Sequence, residues 1–86
     1  MTHELKCHRE PFQALLDGCK RFEIREDDRG FKVGDRLHLR EWQPIGPGSV
    51  EGYYWGREVE FFVTYISRGS EWGFSYGMVV MSLRLT

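Results

Sequence analysis

The run Glu58-Val59-Glu60-Phe61-Phe62-Val63-Thr64-Tyr65-Ile66 restricts the fold more than any other part of this chain. It alternates polar and apolar residues at its start and becomes apolar on both sides after Phe61. That is the pattern of a central β-strand that bends as it passes into a more enclosed setting. The chain has 86 residues and no break in composition, too short for two hydrophobic cores. A bent central strand in so short a chain predicts a single domain over residues 1–86, with one sheet curled around one core. Phe, Tyr and Trp make up 15% of the residues, enough large side chains to fill that core without disulfide or metal staples.

The other elements follow from local pattern. Thr2 to Cys7 alternates Leu5 and Cys7 with Glu4 and Lys6, a strand with one buried face. Pro11 to Asp17 predicts one short helix, with Pro in the first turn, Phe12, Leu15 and Leu16 on one stripe, and Gly18 as the left-handed stop. In Arg21 to Arg25 the alternation sends Phe22 and Ile24 to the core and Glu23 and Arg25 to the opposite, charged face. Val33-Gly34-Asp35 reads as a turn into a strand over Arg36 to Trp42, whose core face is Leu37 and Leu39. Pro and Gly crowd residues 43–56, which predicts a long loop ending at Tyr53, Tyr54 and Trp55. A second loop, Ser67 to Gly77, leads to a final strand over Met78 to Leu85. The expected fold is α+β, mainly β: a small mixed β-barrel of about five strands with one short helix after the first strand. Closing the sheet would also remove its exposed edges.

Composition excludes several function classes. The formal net charge is −1 and the pI about 6.3, so no global positive field draws in nucleic acid. Any RNA-binding surface has to be local, and Arg21, Arg25, Arg29, Lys32, Arg36 and Arg40 cluster in the first half, interleaved with Glu23, Glu26, Asp27, Asp28 and Asp35. The bland alternative is a mixed, solvated surface. The two cysteines, Cys7 and Cys19, are too few for a disulfide scaffold and read as reduced thiols, Cys7 in the core. No apolar run is long enough to span a membrane and the N-terminus lacks a signal-peptide stretch, so a cytoplasmic location is expected. His3, Cys7, His8 and Cys19 match neither zinc-finger nor zinc-ribbon spacing, and no metal or cofactor is expected. Asp28 and Arg29 read as loop-holding residues.

At Gly18-Cys19-Lys20-Arg21-Phe22-Glu23-Ile24-Arg25 the pattern G-x-K-x-x-E-x-R resembles the signature of the ASCH domain, a member of the PUA-like superfamily. The resemblance continues through His3-Glu4-Leu5-Lys6, Asp28-Arg29-Gly30-Phe31-Lys32-Val33-Gly34-Asp35, Gly56-Arg57-Glu58 and Val63-Thr64-Tyr65-Ile66. Together these stretches look like a small ASCH-like family of unknown function from bacteria and their phages. The resemblance implies a β-barrel with a cleft that meets RNA or a modified nucleobase.

Three readings of function follow. In the leading one, Lys20, Glu23 and Arg25 converge at a helix–strand corner and bind RNA or a nucleotide-like ligand. Lys20 and Arg25 would hold the carboxylate ionised and keep donors for phosphate or base edges. Arg40 and Trp42 on the neighbouring strand would add a donor and a stacking surface. The bland alternatives are an exposed Glu23–Arg25 neighbour pair and a Trp42 that only packs. In the second reading, the resemblance extends to small ASCH amidohydrolases acting on N4-acylated cytidines, which implies a Lys, Thr and Glu set. Lys20 matches the lysine, but Glu23 stands where the threonine would be, which tilts the expectation from catalysis to binding. The third reading is a protein-interaction module using a sheet edge or the Trp55 loop.

Overall fold

The computed structural model describes residues 1–73 and 75–86. Its elements are β1 (Thr2–His8), α1 (Arg9–Leu16), β2 (Phe22–Glu26), β3 (Arg36–Pro44), β4 (Gly52–Arg68), α2 (Gly69–Trp72) and β5 (Met78–Leu85). The strands form one mixed sheet in the order β1-β3-β4-β5-β2, curled into a half-barrel. β1 and β3 are parallel, which requires a crossover, and α1 lies on that path. The other three pairings are antiparallel. The mainly β, α+β expectation with five strands is met.

One side of the sheet builds the core. Leu5 and Cys7 of β1, Leu37 and Leu39 of β3, Phe61 and Val63 of β4, and Val79, Met81 and Leu83 of β5 are buried there with Phe12 and Leu15 of α1 and with Phe31. The spacing of two along each strand and of three along α1 is what puts these side chains on one face. Leu16, expected on the same helical stripe, is exposed instead. The helix stop behaves as predicted: Gly18 has φ 78°, and the Gly18 and Cys19 amides donate to Leu15 and Ala14 carbonyls at 3.2 and 3.0 Å. The Lys20 amide also donates to Ala14, at 3.1 Å, which fixes the backbone that carries Lys20.

The structure corrects several expectations. β2 is turned over: Glu23 points inward at 3% exposure, while Phe22 and Ile24 face outward at 41% and 51%. Alternation defines two faces without saying which is inside, and a shift of one residue exchanges them. The register with β5 sets Glu23 opposite the buried Met81, and Glu23 tolerates burial because two cations hold it. The expected 43–56 loop is mostly a hairpin. β3 runs on to Pro44, β4 begins at Gly52, and only residues 45–51 connect them. Gly52 permits this, because a Cβ there would stand 2.1 Å from the Gln43 carbonyl and 2.4 Å from the Trp42 ring. A bulge sets Glu41 opposite residues 55–57, with Gly56 at φ 93°. The expected Ser67–Gly77 loop contains the one-turn helix α2, capped by Gly73 at φ 80°; its residue 74 lies outside the described residues.

The sheet does not close through a ladder. Among the described residues β1 and β2 are its two edges and share no strand pairing. Side chains bridge the seam instead: Arg25 Nη2 donates to the Lys6 carbonyl at 2.7 Å, and Arg29 Nη1 to the Glu4 carbonyl at 3.3 Å.

A charged cleft at the β1–β2 seam

The seam holds a cleft of about 420 Å³ between the end of β1, the start of α1 and the inner face of β2. Lys20, Glu23, Arg25 and Trp42 all line it, together with Lys6, Cys7 and His8 and an apolar wall of Pro11, Phe22 and Ile24. Glu23 is its organising group. Its Oε1 accepts from Lys20 Nζ at 2.7 Å and its Oε2 from Arg25 Nε at 2.9 Å. Glu23 and Arg25 share a face because they are two apart on a strand, and Lys20 reaches them from the helix stop. Arg25 carries on to the Lys6 carbonyl and so ties β2 to β1 across the cleft mouth.

Both oxygens of this buried carboxylate are engaged, so its main part is to hold the two cations in place. The lining carries Lys6, Lys20 and Arg25 against the single carboxylate Glu23, an excess of positive charge. Cys7 lies on the cleft floor. Burial, assisted by the negative charge of Glu23, pushes its thiol up to about 11, against the opposing pull of Arg25 and Lys20, so it is a protonated packing group at neutral pH. Cys7 and Cys19 are both free.

Arg40 and Trp42 fall out differently from the sequence expectation. Arg40 is outside the lining of this cleft: it pairs with Glu4 Oε1 at 3.0 Å, reaches Glu58 at 3.9 Å and lies over the Tyr54 ring at 3.7 Å. Trp42 does line the cleft, but at 6% exposure its faces are covered, with Lys6 Nζ 4.7 Å from its centroid and His8 at 5.7 Å. It packs and offers little free stacking surface. Tyr53 and Trp55 are exposed and tilted against each other at 5.5 Å, with the Arg9 guanidinium over Trp55 at 4.1 Å.

A family profile described as a domain of unknown function, DUF3850, matches residues 2–83. The chain belongs to this family. It is also similar to the uncharacterized 12.9 kDa protein in the GpA 3′ region of Escherichia phage P2, 40% identical over 70 residues. That match takes in 81% of the present chain and spans 58% of the phage protein's length. The expectation of a small family of unknown function with a phage member is therefore met at that level.

This DUF3850 chain also has two buried ionic clusters that sequence reading did not single out. His3 Nε2 lies 2.8 Å from Asp35 Oδ2 and packs edge-on to Phe31. Burial resists ionisation of Asp35, but hydrogen bonds from His3 and the Lys32 amide win and hold its carboxyl below the ordinary 3.8. Glu41, 2% exposed under α1, takes two bonds from Arg57 at 2.9 Å and one from Arg9 at 3.2 Å, and Arg57 chiefly keeps its carboxyl low. Both clusters tie elements together by long-range pairing, so no local spacing could signal them. Asp27, not Asp28, anchors the following loop, by accepting from the Phe31 amide at 2.9 Å. No three His, Cys, Asp or Glu side chains are grouped to hold a metal among the described residues, and no helix there is long and apolar enough to cross a membrane.

Proposed function

We propose that this chain is a recognition module of the ASCH, PUA-like kind whose seam cleft binds RNA or a nucleotide-like ligand. The observation that supports it most is the convergence of Lys20, Glu23 and Arg25 on one cleft of about 420 Å³, within the usual range for small-ligand sites of about 300–1,000 Å³. A buried, doubly bonded carboxylate holds two cations at the mouth, and cations fixed in this way bind phosphate or base-edge acceptors with little ordering cost. Phe22 and Ile24, turned outward beside them, supply an apolar wall for a planar base.

Fluorescence anisotropy with labelled RNA and single-stranded DNA, and calorimetry with free and modified nucleotides, test the reading. Lys20→Ala and Arg25→Ala should each weaken binding about tenfold or more, as expected for charge-assisted contacts, while unfolding stays cooperative. Failure of all these ligands to bind at low salt would sink it. Hydrolysis of an N4-acylated cytidine, with Lys20 and Glu23 as its catalytic pair, is the less favoured reading. Among the described residues the lining supplies no Ser or Thr hydroxyl, and the one thiol, Cys7, is held protonated. Chromatography of acylated cytidines after incubation with the protein separates the two readings.

A further inference from the structure

We propose that the ligand is a single-stranded nucleic acid lying along the free edge of β1, not a lone nucleotide; this rests on the reading of the cleft given above. The cleft is one part of a longer groove. It shares Lys6 and Arg25 with a cavity of about 320 Å³ against Glu4, Arg29 and Tyr54. That cavity shares Arg29 with another of about 350 Å³ at Gly30 and Lys32. At the opposite end the cleft shares His8, Pro11 and Trp42 with a cavity of about 300 Å³ against Arg9 and Gln43. The four follow β1 from end to end, and its seven residues span about 23 Å.

Charge selects the occupant. The chain as a whole carries 12 Lys and Arg against 13 Asp and Glu. The four cavities are lined by Lys6, Arg9, Lys20, Arg25, Arg29 and Lys32 against only Glu4, Glu10, Glu23 and Asp35. Pairing occurs on both sides of this count: Glu4 meets Arg40, Glu23 meets Lys20 and Arg25, and Asp35 meets His3, while Arg9 and Arg29 meet Glu41 and Asp28, so the excess is the difference of two cations in the lining itself. The groove thus concentrates positive charge on a slightly acidic protein, which suits a polyanion.

A free strand edge can also add an extended peptide through main-chain bonds. Here two of the acceptors such a peptide would use in the middle of the edge are engaged: the Glu4 and Lys6 carbonyls, on alternate residues, take Arg29 and Arg25. Arg25 spends Nε and Nη2 on Glu23 and Lys6, which leaves Nη1 to donate to a phosphate. Beyond Gln43, the exposed Trp55 donates its indole N–H to that residue's Oε1 at 3.2 Å and forms, with Tyr53, a platform for a base at the groove's end.

Anisotropy with labelled oligouridines of increasing length, beside uridine monophosphate and an RNA duplex, tests this. Affinity should rise with length and level off at about four to six nucleotides, the lower end of small-barrel sites. The double variant Arg29→Gln/Lys32→Gln, outside the cleft, should weaken the longest strand about tenfold and reduce the salt slope by about 1.4, leaving the monophosphate unaffected. Lys20→Gln should weaken both ligands. Arg84→Gln, on β5 three strands from β1 and in the lining of none of the four cavities, should weaken neither. If the monophosphate binds as tightly as the longest strand and the double variant is silent, the groove is refuted and the cleft reading stands. Equal affinity for the duplex overturns the single-stranded assignment. Absence of binding to every probe at low salt overturns both readings.

Discussion

Replacing Glu23 with Gln tests whether one buried carboxylate organises the cleft from below. Glu23 Oε1 takes Lys20 at 2.7 Å and Oε2 takes Arg25 at 2.9 Å. Glutamine keeps one acceptor oxygen and turns the other into an amide that donates, so one cation faces a donor. One charge-assisted bond is lost, at about 1.5–3 kcal/mol, and the survivor no longer joins opposite charges. The Lys20 and Arg25 side chains are 20% and 26% exposed, so a released cation can rehydrate. That keeps the loss below the about 3–5 kcal/mol of breaking a fully buried pair. The expected net loss is about 2 kcal/mol. In a domain of this size that lowers Tm by about 8–16 °C. Urea unfolding followed by tryptophan fluorescence should show a lower midpoint at unchanged slope. A cycle with Lys20→Met should give a coupling of at least about 1 kcal/mol. A loss under about 0.5 kcal/mol, the level of an ordinary surface change, or zero coupling, refutes the reasoning.

Three further outcomes follow. Gly52→Ala should cost about 1–3 kcal/mol by forcing the hairpin away from Gln43 and Trp42, while Gly46→Ala, with nothing within 4 Å of its added carbon, should cost far less; equal effects in thermal melts would contradict the close approach. Hydrogen bonds from Arg57 lower Glu41, the Phe31 amide lowers Asp27, and at Asp35 burial pushes upward but bonds from His3, the Lys32 amide and the N-terminal amine together lower it. Lowered carboxyls stabilise the fold fully above their unfolded values of 4.5 and 3.8, and that stability is lost as pH falls through the folded ones. Tm should therefore be level near pH 6 and fall below about pH 4, more shallowly in Arg57→Met, and a level Tm down to about pH 2 would contradict this. At about pH 8 iodoacetamide should modify the exposed Cys19 and spare Cys7 until the protein is unfolded; mass spectra showing both adducts at equal rates would contradict the raised thiol.

What could be read from the sequence was what local rules govern. Gly18 stops the helix through bonds spanning five residues, and Glu23 and Arg25 share a face because a strand repeats every two. Those two facts help bring Lys20, Glu23 and Arg25 together, but it is the ASCH-like signature pattern, not spacing, that singles the three out in the sequence. What could not be read depended on pairing at a distance. The arrival of Lys6 and Trp42 at the cleft needs the parallel β1–β3 register, and the hairpin needs Gly52 to fit against Gln43. The burial of Glu41 likewise needs Arg9 and Arg57, remote in sequence.

The inverted face of β2 links these two kinds of information. Had Phe22 and Ile24 pointed inward, as hydrophobicity alone suggests, Glu23 would lie on an exposed face, where an ion pair contributes about 0–1 kcal/mol and orders nothing. Pointing inward instead, Glu23 is buried only because Lys20 and Arg25 satisfy both its oxygens, and Arg25 in turn reaches β1. The same inversion leaves Phe22 and Ile24 on the rim, where they wall the cleft. A local rule of burial is broken on β2, as it is at Glu41 on β3, but on β2 the two cations it fixes line a cleft, and such a violation is where a functional site is expected.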